Sequence, residues 1–141
     1  MAKNILGIVL TAIFTGLGLL HVYWAVAGKA ETSIGVPSVD GKPLFKPSTF
    51  ATLLVAAALF TAALVISGIS GWLGSLIPPS VFRVMTLGIS IVFLIRAVGD
   101  FRYVGFFKSV TNSGFAYWDT WLYSPLCLFI AVAAFFIWFK S

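Results

Sequence analysis

The chain has 141 residues, of which 60% are hydrophobic and 9% are charged, and its mean hydropathy is +1.07. A chain of this length cannot bury so much apolar surface in a water-soluble core, so the composition excludes a soluble globular domain and predicts a protein embedded in the lipid bilayer. Nine Lys and Arg residues oppose four Asp and Glu residues. In a membrane protein such an excess lies near lipid head groups, and without a basic stripe we expect no nucleic-acid partner. The single cysteine, Cys127, excludes an internal disulfide and a cysteine zinc site.

Four stretches without charge are the strongest structural signal. A helix needs roughly 20 apolar residues to cross a hydrocarbon core of about 30 Å. The third stretch is short, because only twelve uncharged residues separate Arg83 from Arg96, and both side chains must then reach outward to the interfaces. The first stretch imitates a signal peptide that ends at 25–27, but its apolar run is too long for one, so we expect a retained helix. The predicted spans are 5–27, 49–76, 81–98 and 120–139.

These spans predict an all-α membrane protein, a four-transmembrane-helix bundle that forms a single domain over residues 1–141. Because the number of spans is even, both termini lie on one side of the membrane and the two long connections lie on the other. The connection 28–46 contains Asp40-Gly41 between short apolar stretches, which predicts a small β-hairpin at the membrane surface. The connection 99–118 is rich in aromatic residues and is expected at the membrane interface.

Ionisable side chains gather at the end of the bundle that carries the two long connections, which we call the polar end. The opposite end has Lys3, Arg83 and Lys140, which are interpreted as interfacial anchors. Ionisable groups at membrane depth are costly and tend to face a bundle interior or a wet cavity, so the polar end is the expected working end. Its ionisable residues include all four acids of the protein and are His21, Glu31, Asp40, Arg96, Asp100, Arg102, Lys108 and Asp119.

Arg96 and Asp100 lead the candidate site. They are four residues apart, so on a continuing helix they share a face and can pair. His21 lies about two turns from the end of the first span, at a depth where it can meet them. Pro125 removes a backbone donor and frees the carbonyl of Trp121, and a helix kinked in this way can line a polar pocket. The candidate ligand-binding residues are His21, Arg96, Asp100, Arg102, Tyr103, Asp119 and Tyr123.

Each of these features also has a purely structural interpretation. Arg96 with Asp100 is equally a structural ion pair that locks the end of the third helix. His21 is more often a buried histidine bonded to a neighbour than a proton relay, and Asp119 is more often a helix cap than an acid catalyst. One histidine with scattered carboxylates falls short of the three ligands that a metal site needs, so we expect no metal and no cofactor. Close helix packing is the simplest reason for a small-residue stripe on the first span, which comprises Gly7, Thr11, Thr15 and Gly18.

Three stretches of the chain resemble a known family. They are His21-Val22-Tyr23-Trp24, the run Arg-Ala-Val-Gly-Asp-Phe-Arg-Tyr-Val-Gly-Phe-Phe-Lys over 96–108, and Asp119 followed by Tyr123-Ser124-Pro125-Leu126-Cys127. With them the chain resembles a group of small four-span bacterial membrane proteins known only as a domain of unknown function. The resemblance covers nearly the whole chain, and the run over 96–108 is its most specific part. It implies four helices in the bacterial inner membrane and implies no activity.

Three functions remain open, all in contact with the lipid bilayer. The first is a binding or transport protein for a small polar or anionic solute or a lipid head group. It predicts a pocket with Arg96 in its wall. Transport would also need a path across the membrane, which a protomer this small would build more readily as a homo-oligomer. The second is a membrane enzyme for a lipid or amphipathic substrate, with His21 or Asp100 as acid or base, although no nucleophile motif supports it. The third is a structural or accessory subunit, which predicts no cavity at Arg96.

Overall fold

The computed structural model describes residues 1–28 and 34–141; Glu31, expected at the polar end, lies outside the described residues. Within these two ranges, four helical runs are long and apolar enough to cross a membrane. The predicted all-α membrane fold with one small hairpin is therefore confirmed. The helices are α1 (Ala2–Ala27), α2 (Thr49–Ile69), α3 (Pro79–Val98), and a fourth run made of α4 (Gly114–Trp118), a π-helical turn (Asp119–Tyr123) and α5 (Ser124–Phe139).

The helix ends follow from local chemistry. Ser48 caps α2, since its hydroxyl accepts the backbone N–H of Ala51 at 3.0 Å. Pro79 is the first residue of α3, where its missing N–H removes no helical bond. Helix α2 ends at Ile69, before the predicted position 76, because Gly71 adopts φ +87° and begins a turn toward α3.

The first long connection contains the predicted β-hairpin. Strands β1 (Ser38–Val39) and β2 (Lys42–Pro43) are antiparallel. Both turn residues have positive φ, 51° at Asp40 and 75° at Gly41, as a two-residue type I′ turn requires. The Asp-Gly pair thus predicts the turn correctly from local backbone preference alone.

Small residues bring α1 and α2 together, as the stripe on the first span predicts. A Cβ on Gly18 would lie 2.7 Å from the Phe60 ring, and a Cβ on Gly7 would lie 2.5 Å from the hydroxyl oxygen of Ser70. Helix α3 packs along α5, and the Ser90 hydroxyl donates a hydrogen bond across this interface to the Ala131 carbonyl at 2.7 Å. The apolar core is formed by Leu10, Phe14, Leu59, Ala62, Ala63, Ile66, Ile130, Ala133, Ala134 and Ile137.

The fourth helical run begins earlier than the predicted position 120. Ser113 caps it, accepting the N–H of Ala116 at 3.0 Å, so Asp119 is not a helix cap but lies inside the run. The backbone N–H of Ser124 donates to the Asp119 carbonyl, the five-residue spacing of a π-helix. This wide turn stands directly before Pro125, where the sequence predicts a kink.

Candidate binding site at the polar end

A fully buried carboxylate, Asp119, is the centre of the polar end, with 0% of its side chain exposed. Its Oδ1 accepts a hydrogen bond from Arg96 Nη2 at 2.8 Å. Its Oδ2 accepts the backbone N–H of Gly105 at 2.8 Å and lies 3.1 Å from Lys108 Nζ. A buried carboxylate is tolerated only when it is paired and hydrogen-bonded, and these three donors meet that requirement.

Lys108 is the second buried charge of this cluster, with 2% of its side chain exposed. Besides Asp119, its ammonium donates to the Gly105 carbonyl at 3.1 Å and to the Thr120 hydroxyl. A lysine ammonium has three N–H donors, and three acceptors therefore use all of them. All three donors of Lys108 therefore hold the loop that follows α3 against the fourth helical run.

Two glycines allow the loop after α3 to fold back over the helix end. Gly99 has φ 86° and ψ −168°, a conformation that is essentially restricted to glycine, and Gly105 has φ 90°. A Cβ on Gly99 would overlap the Val104 carbonyl oxygen. The backbone N–H of Phe106 then donates to the Ala97 carbonyl at 2.8 Å. This close crossing places the Gly105 N–H against Asp119.

Asp100 shapes the loop and does not pair with Arg96. Its Oδ1 accepts the backbone N–H groups of Arg102 at 3.0 Å, Tyr103 at 2.8 Å and Val104 at 3.0 Å. These hydrogen bonds, that of Arg102 first, hold the pKa of Asp100 below its ordinary value. The predicted Arg96–Asp100 pair is wrong, because α3 ends at Val98 and Asp100 leaves the helix face that carries Arg96.

Arg96 retains hydrogen-bonding capacity that the described residues do not use. Its Nη2 binds Asp119, whereas its Nη1 is buried and has no hydrogen-bond partner among residues 1–28 and 34–141. The side chain is 32% exposed, so part of it faces the surface. Two cations, Arg96 and Lys108, share the single Asp119 carboxylate, and the cluster therefore carries a surplus positive charge.

The other predicted site residues form no hydrogen bond or ion pair with Arg96 or Asp119 within residues 1–28 and 34–141. The Arg102 guanidinium stands 5.0 Å from the centre of the Tyr103 ring, a cation–π contact within the loop. The Tyr123 hydroxyl donates to the Ile34 carbonyl at 2.8 Å and ties the fourth helical run to the first long connection. His21 lies in a groove between α1 and α2. Of the seven predicted residues, Arg96 and Asp119 are therefore the two that bind each other directly in the described part of the chain, and Tyr123 lies within electrostatic range of both.

The groove of His21 has a volume of about 500 Å³. It is located at the polar end, where the binding hypothesis predicts a pocket, but Arg96 does not line it. The lining residues are His21, Trp24, Gly35, Phe45, Lys46, Pro47, Ser48, Ala51, Thr52 and Val55.

Sequence reasoning missed Lys108 and Gly105 as parts of the site. Both belong to the run over 96–108. In this run Arg96 and Lys108 bind Asp119. The backbone crosses itself at Gly99 and Gly105, and Asp100 accepts hydrogen bonds from the loop backbone. The density of Gly and charged residues in one short run was the available signal. It could not show that the acceptor is a residue of the fourth span.

The described part of the chain contains four apolar helices of spanning length and the polar loop between α3 and α4, which define a multi-pass α-helical membrane protein. A family model described as a protein of unknown function, DUF3995, matches residues 14–134. The chain belongs to this family, and the predicted membership in a family of unknown function is confirmed. Comparisons with curated proteins and with solved structures find no match.

Proposed function

We propose that this membrane protein binds a small polar or anionic solute, or a lipid head group, at Arg96. The observation that supports the proposal is the cluster of Arg96, Lys108 and Asp119, in which the buried Nη1 of Arg96 lacks an acceptor among the described residues. A buried donor without a partner costs about 1–3 kcal/mol, more if it is charged. An acceptor group from a ligand would remove this cost and neutralise the surplus charge.

The chemistry of the cluster favours an oxyanion as the ligand group. Arginine presents a planar fork of donors that matches carboxylate and phosphate oxygens. One branch of the fork is held by Asp119 at 2.8 Å, which sets the orientation of the other branch. Lys108 has no donor to spare, so its role is to position Asp119 and through it Arg96.

Under this proposal the protein lies in the bacterial inner membrane, with both termini on the same side and the polar end at the opposite surface. Transport is an extension of the binding function, and it requires a homo-oligomer to build a path past the apolar remainder of the spans. An enzyme is less well supported, because Asp100 is bonded to the loop backbone and His21 lies in the groove between α1 and α2.

Arg96→Lys is the variant that tests the proposal. It keeps the positive charge beside Asp119 but removes the second donor branch. Arg102→Lys is the matched control, since Arg102 is exposed and contacts the Tyr103 ring. We would titrate each purified protein with short-chain phosphatidylglycerol and, separately, with inorganic phosphate, and count bound molecules by native mass spectrometry.

The proposal expects at least one of the two probes to bind the parent protein and the Arg102→Lys control equally. Arg96→Lys should bind it about tenfold more weakly or worse, since a hydrogen bond to a charged group contributes about 1.5–3 kcal/mol. Binding of phosphatidylglycerol alone would identify a lipid head group, and binding of phosphate a free oxyanion. Equal binding by all three folded proteins, or binding of neither probe, would contradict the proposal.

A structural or accessory subunit is the second candidate, and the saturation of Asp119 favours it. Three donors from α3 and the following loop already satisfy this carboxylate, as a lock between α3 and the fourth helical run requires. In that case Arg96→Lys should lower thermal stability and leave binding of both probes unchanged.

A further inference from the structure

The groove between α1 and α2 is a second site that the Arg96 cluster does not use. Its volume of about 500 Å³ falls in the range of about 300–1,000 Å³ that is typical of small-molecule sites. Most of its lining side chains are apolar or aromatic, including Trp24, Phe45, Ala51 and Val55. Both helices that form the groove are apolar enough to cross a membrane, so lipid surrounds them. A hydrocarbon chain is therefore the ligand group best suited to fill the groove.

His21 provides a directional polar group in this groove. Its Nδ1 lies 2.7 Å from the Leu17 carbonyl oxygen. A carbonyl can only accept, so Nδ1 carries the proton of the neutral ring and Nε2 is left as an acceptor. The ring is also held edge-on against Trp24, with 5.1 Å between ring centres. Within the part of the chain that the structure describes, no residue donates to Nε2.

We propose that this groove binds an amphiphile whose hydrocarbon chain lies along Ala51 and Val55 and whose hydroxyl group donates a hydrogen bond to His21 Nε2. A fixed acceptor beside an apolar channel recognises a hydroxyl and discriminates against a group of similar size that cannot donate. The site is distinct from Arg96, and neither site requires the other.

A photo-crosslinking experiment tests both halves of the proposal. The full chain in phosphatidylcholine nanodiscs would be irradiated with a diazirine-bearing hexadecanol and, separately, with its methyl ether, which has the same chain and no donor. Labelled peptides would be located by mass spectrometry. Ala51→Trp fills the groove, and Ala57→Trp, an exposed position of α2 that does not line it, is the matched control. His21→Phe keeps an aromatic ring and removes the acceptor.

The proposal expects the alcohol to label the groove of the parent protein and of Ala57→Trp, with at least severalfold less labelling of Ala51→Trp. The alcohol should exceed the methyl ether by about two- to tenfold in the parent, in line with one neutral hydrogen bond, and this preference should vanish in His21→Phe. Equal labelling of both tryptophan variants would overturn the groove as a site. Equal labelling by both probes in the parent would overturn the role of His21. A dimer of the parent that Ala51→Trp dissociates would show that a second copy occupies the groove.

Discussion

At the scale of single residues, the polar end depends on positions where only one residue type fits. Gly99 adopts a backbone conformation that L side chains rarely reach, and Gly105 approaches the backbone of Val98 and Gly99. The same segment provides two of the donors that bind Asp119. The backbone conformation at Gly99 and Gly105 therefore determines whether the loop can bind Asp119.

Gly99→Ala should disrupt this coupling. The added Cβ would meet the Val104 carbonyl, and the backbone would be forced out of a glycine-only conformation. We expect the free energy of unfolding to fall by about 2 kcal/mol or more, measured by thermal or denaturant unfolding in detergent. Gly16→Ala is the control, because a Cβ at this position of α1 has no neighbour within 4 Å. It should leave stability unchanged or raise it by up to about 1 kcal/mol. Equal effects of the two substitutions would refute the close crossing at Gly99.

Asp119→Asn should be the most destabilising isosteric change at the polar end. It removes the carboxylate charge that balances Arg96 and Lys108, and leaving buried charge without its partner costs about 3–5 kcal/mol. The same substitution at Asp40, in the exposed hairpin turn, should stay within about 0.5 kcal/mol, since asparagine tolerates positive φ.

The two variants should be compared by unfolding in the same detergent. Adding Lys108→Met to Asp119→Asn should restore part of the lost stability, because one unbalanced cation is removed. A stable Asp119→Asn protein, indistinguishable from Asp40→Asn, would show that the cluster does not contribute to the fold.

At the scale of elements, the connection between α3 and α4 is a folded unit and not a flexible linker. Asp100 organises its first half through three backbone N–H groups. Its second half returns to the first, since the N–H groups of Ser109 and Val110 both donate to the Arg102 carbonyl, at 3.0 and 2.9 Å. The π-helical turn then brings Asp119 inside the fourth run to meet this loop.

Acid should weaken this loop. The pKa of Asp100 is held below its ordinary value in the folded protein, so its carboxylate stabilises the fold above the unfolded pKa, and this contribution is lost as pH falls through the lower folded pKa. The isosteric Asp100→Asn keeps an oxygen acceptor but lacks the charge. The parent should therefore be more stable than Asp100→Asn at about pH 6, and the difference should shrink toward about pH 3. Thermal unfolding across this pH range measures it, and a constant difference would contradict the assignment.

At the scale of the whole molecule, the two ends of the helices differ in the polar groups that they contain. The polar end contains the Asp119 cluster, the folded loop and the groove of His21. The other end closes with a glycine turn between α2 and α3, where the Arg83 guanidinium lies 5.8 Å from the centre of the Trp138 ring. The proposed binding sites and the Arg83–Trp138 contact are thus at opposite ends of the helices.

If the chain crosses the membrane four times, both termini lie on one side, and cysteine labelling can test this prediction. In a Cys127→Ala background, Lys3→Cys and Lys140→Cys should react with a membrane-impermeant maleimide from the same side of sealed vesicles. Lys42→Cys, in the hairpin, should react only from the opposite side. Labelling of residues 3 and 140 from different sides would contradict the four-span arrangement.

The sequence by itself determined the features that depend on local composition. Uncharged runs of spanning length predict the helices, Asp40-Gly41 predicts the hairpin turn, and the small residues of α1 predict close packing of another helix. Each of these follows from neighbours along the chain or from the contrast between lipid and water. They need no knowledge of which distant segments meet.

The tertiary structure alone decided the partner of Arg96. Spacing along a helix favours Asp100, but Gly99 ends the helix and the π-helical turn presents Asp119, a residue of another span, to the guanidinium. The same holds for His21, which lines a groove whose wall does not include Arg96. Such pairings depend on how whole helices cross and on where each helix ends, and neither can be read from residue spacing alone.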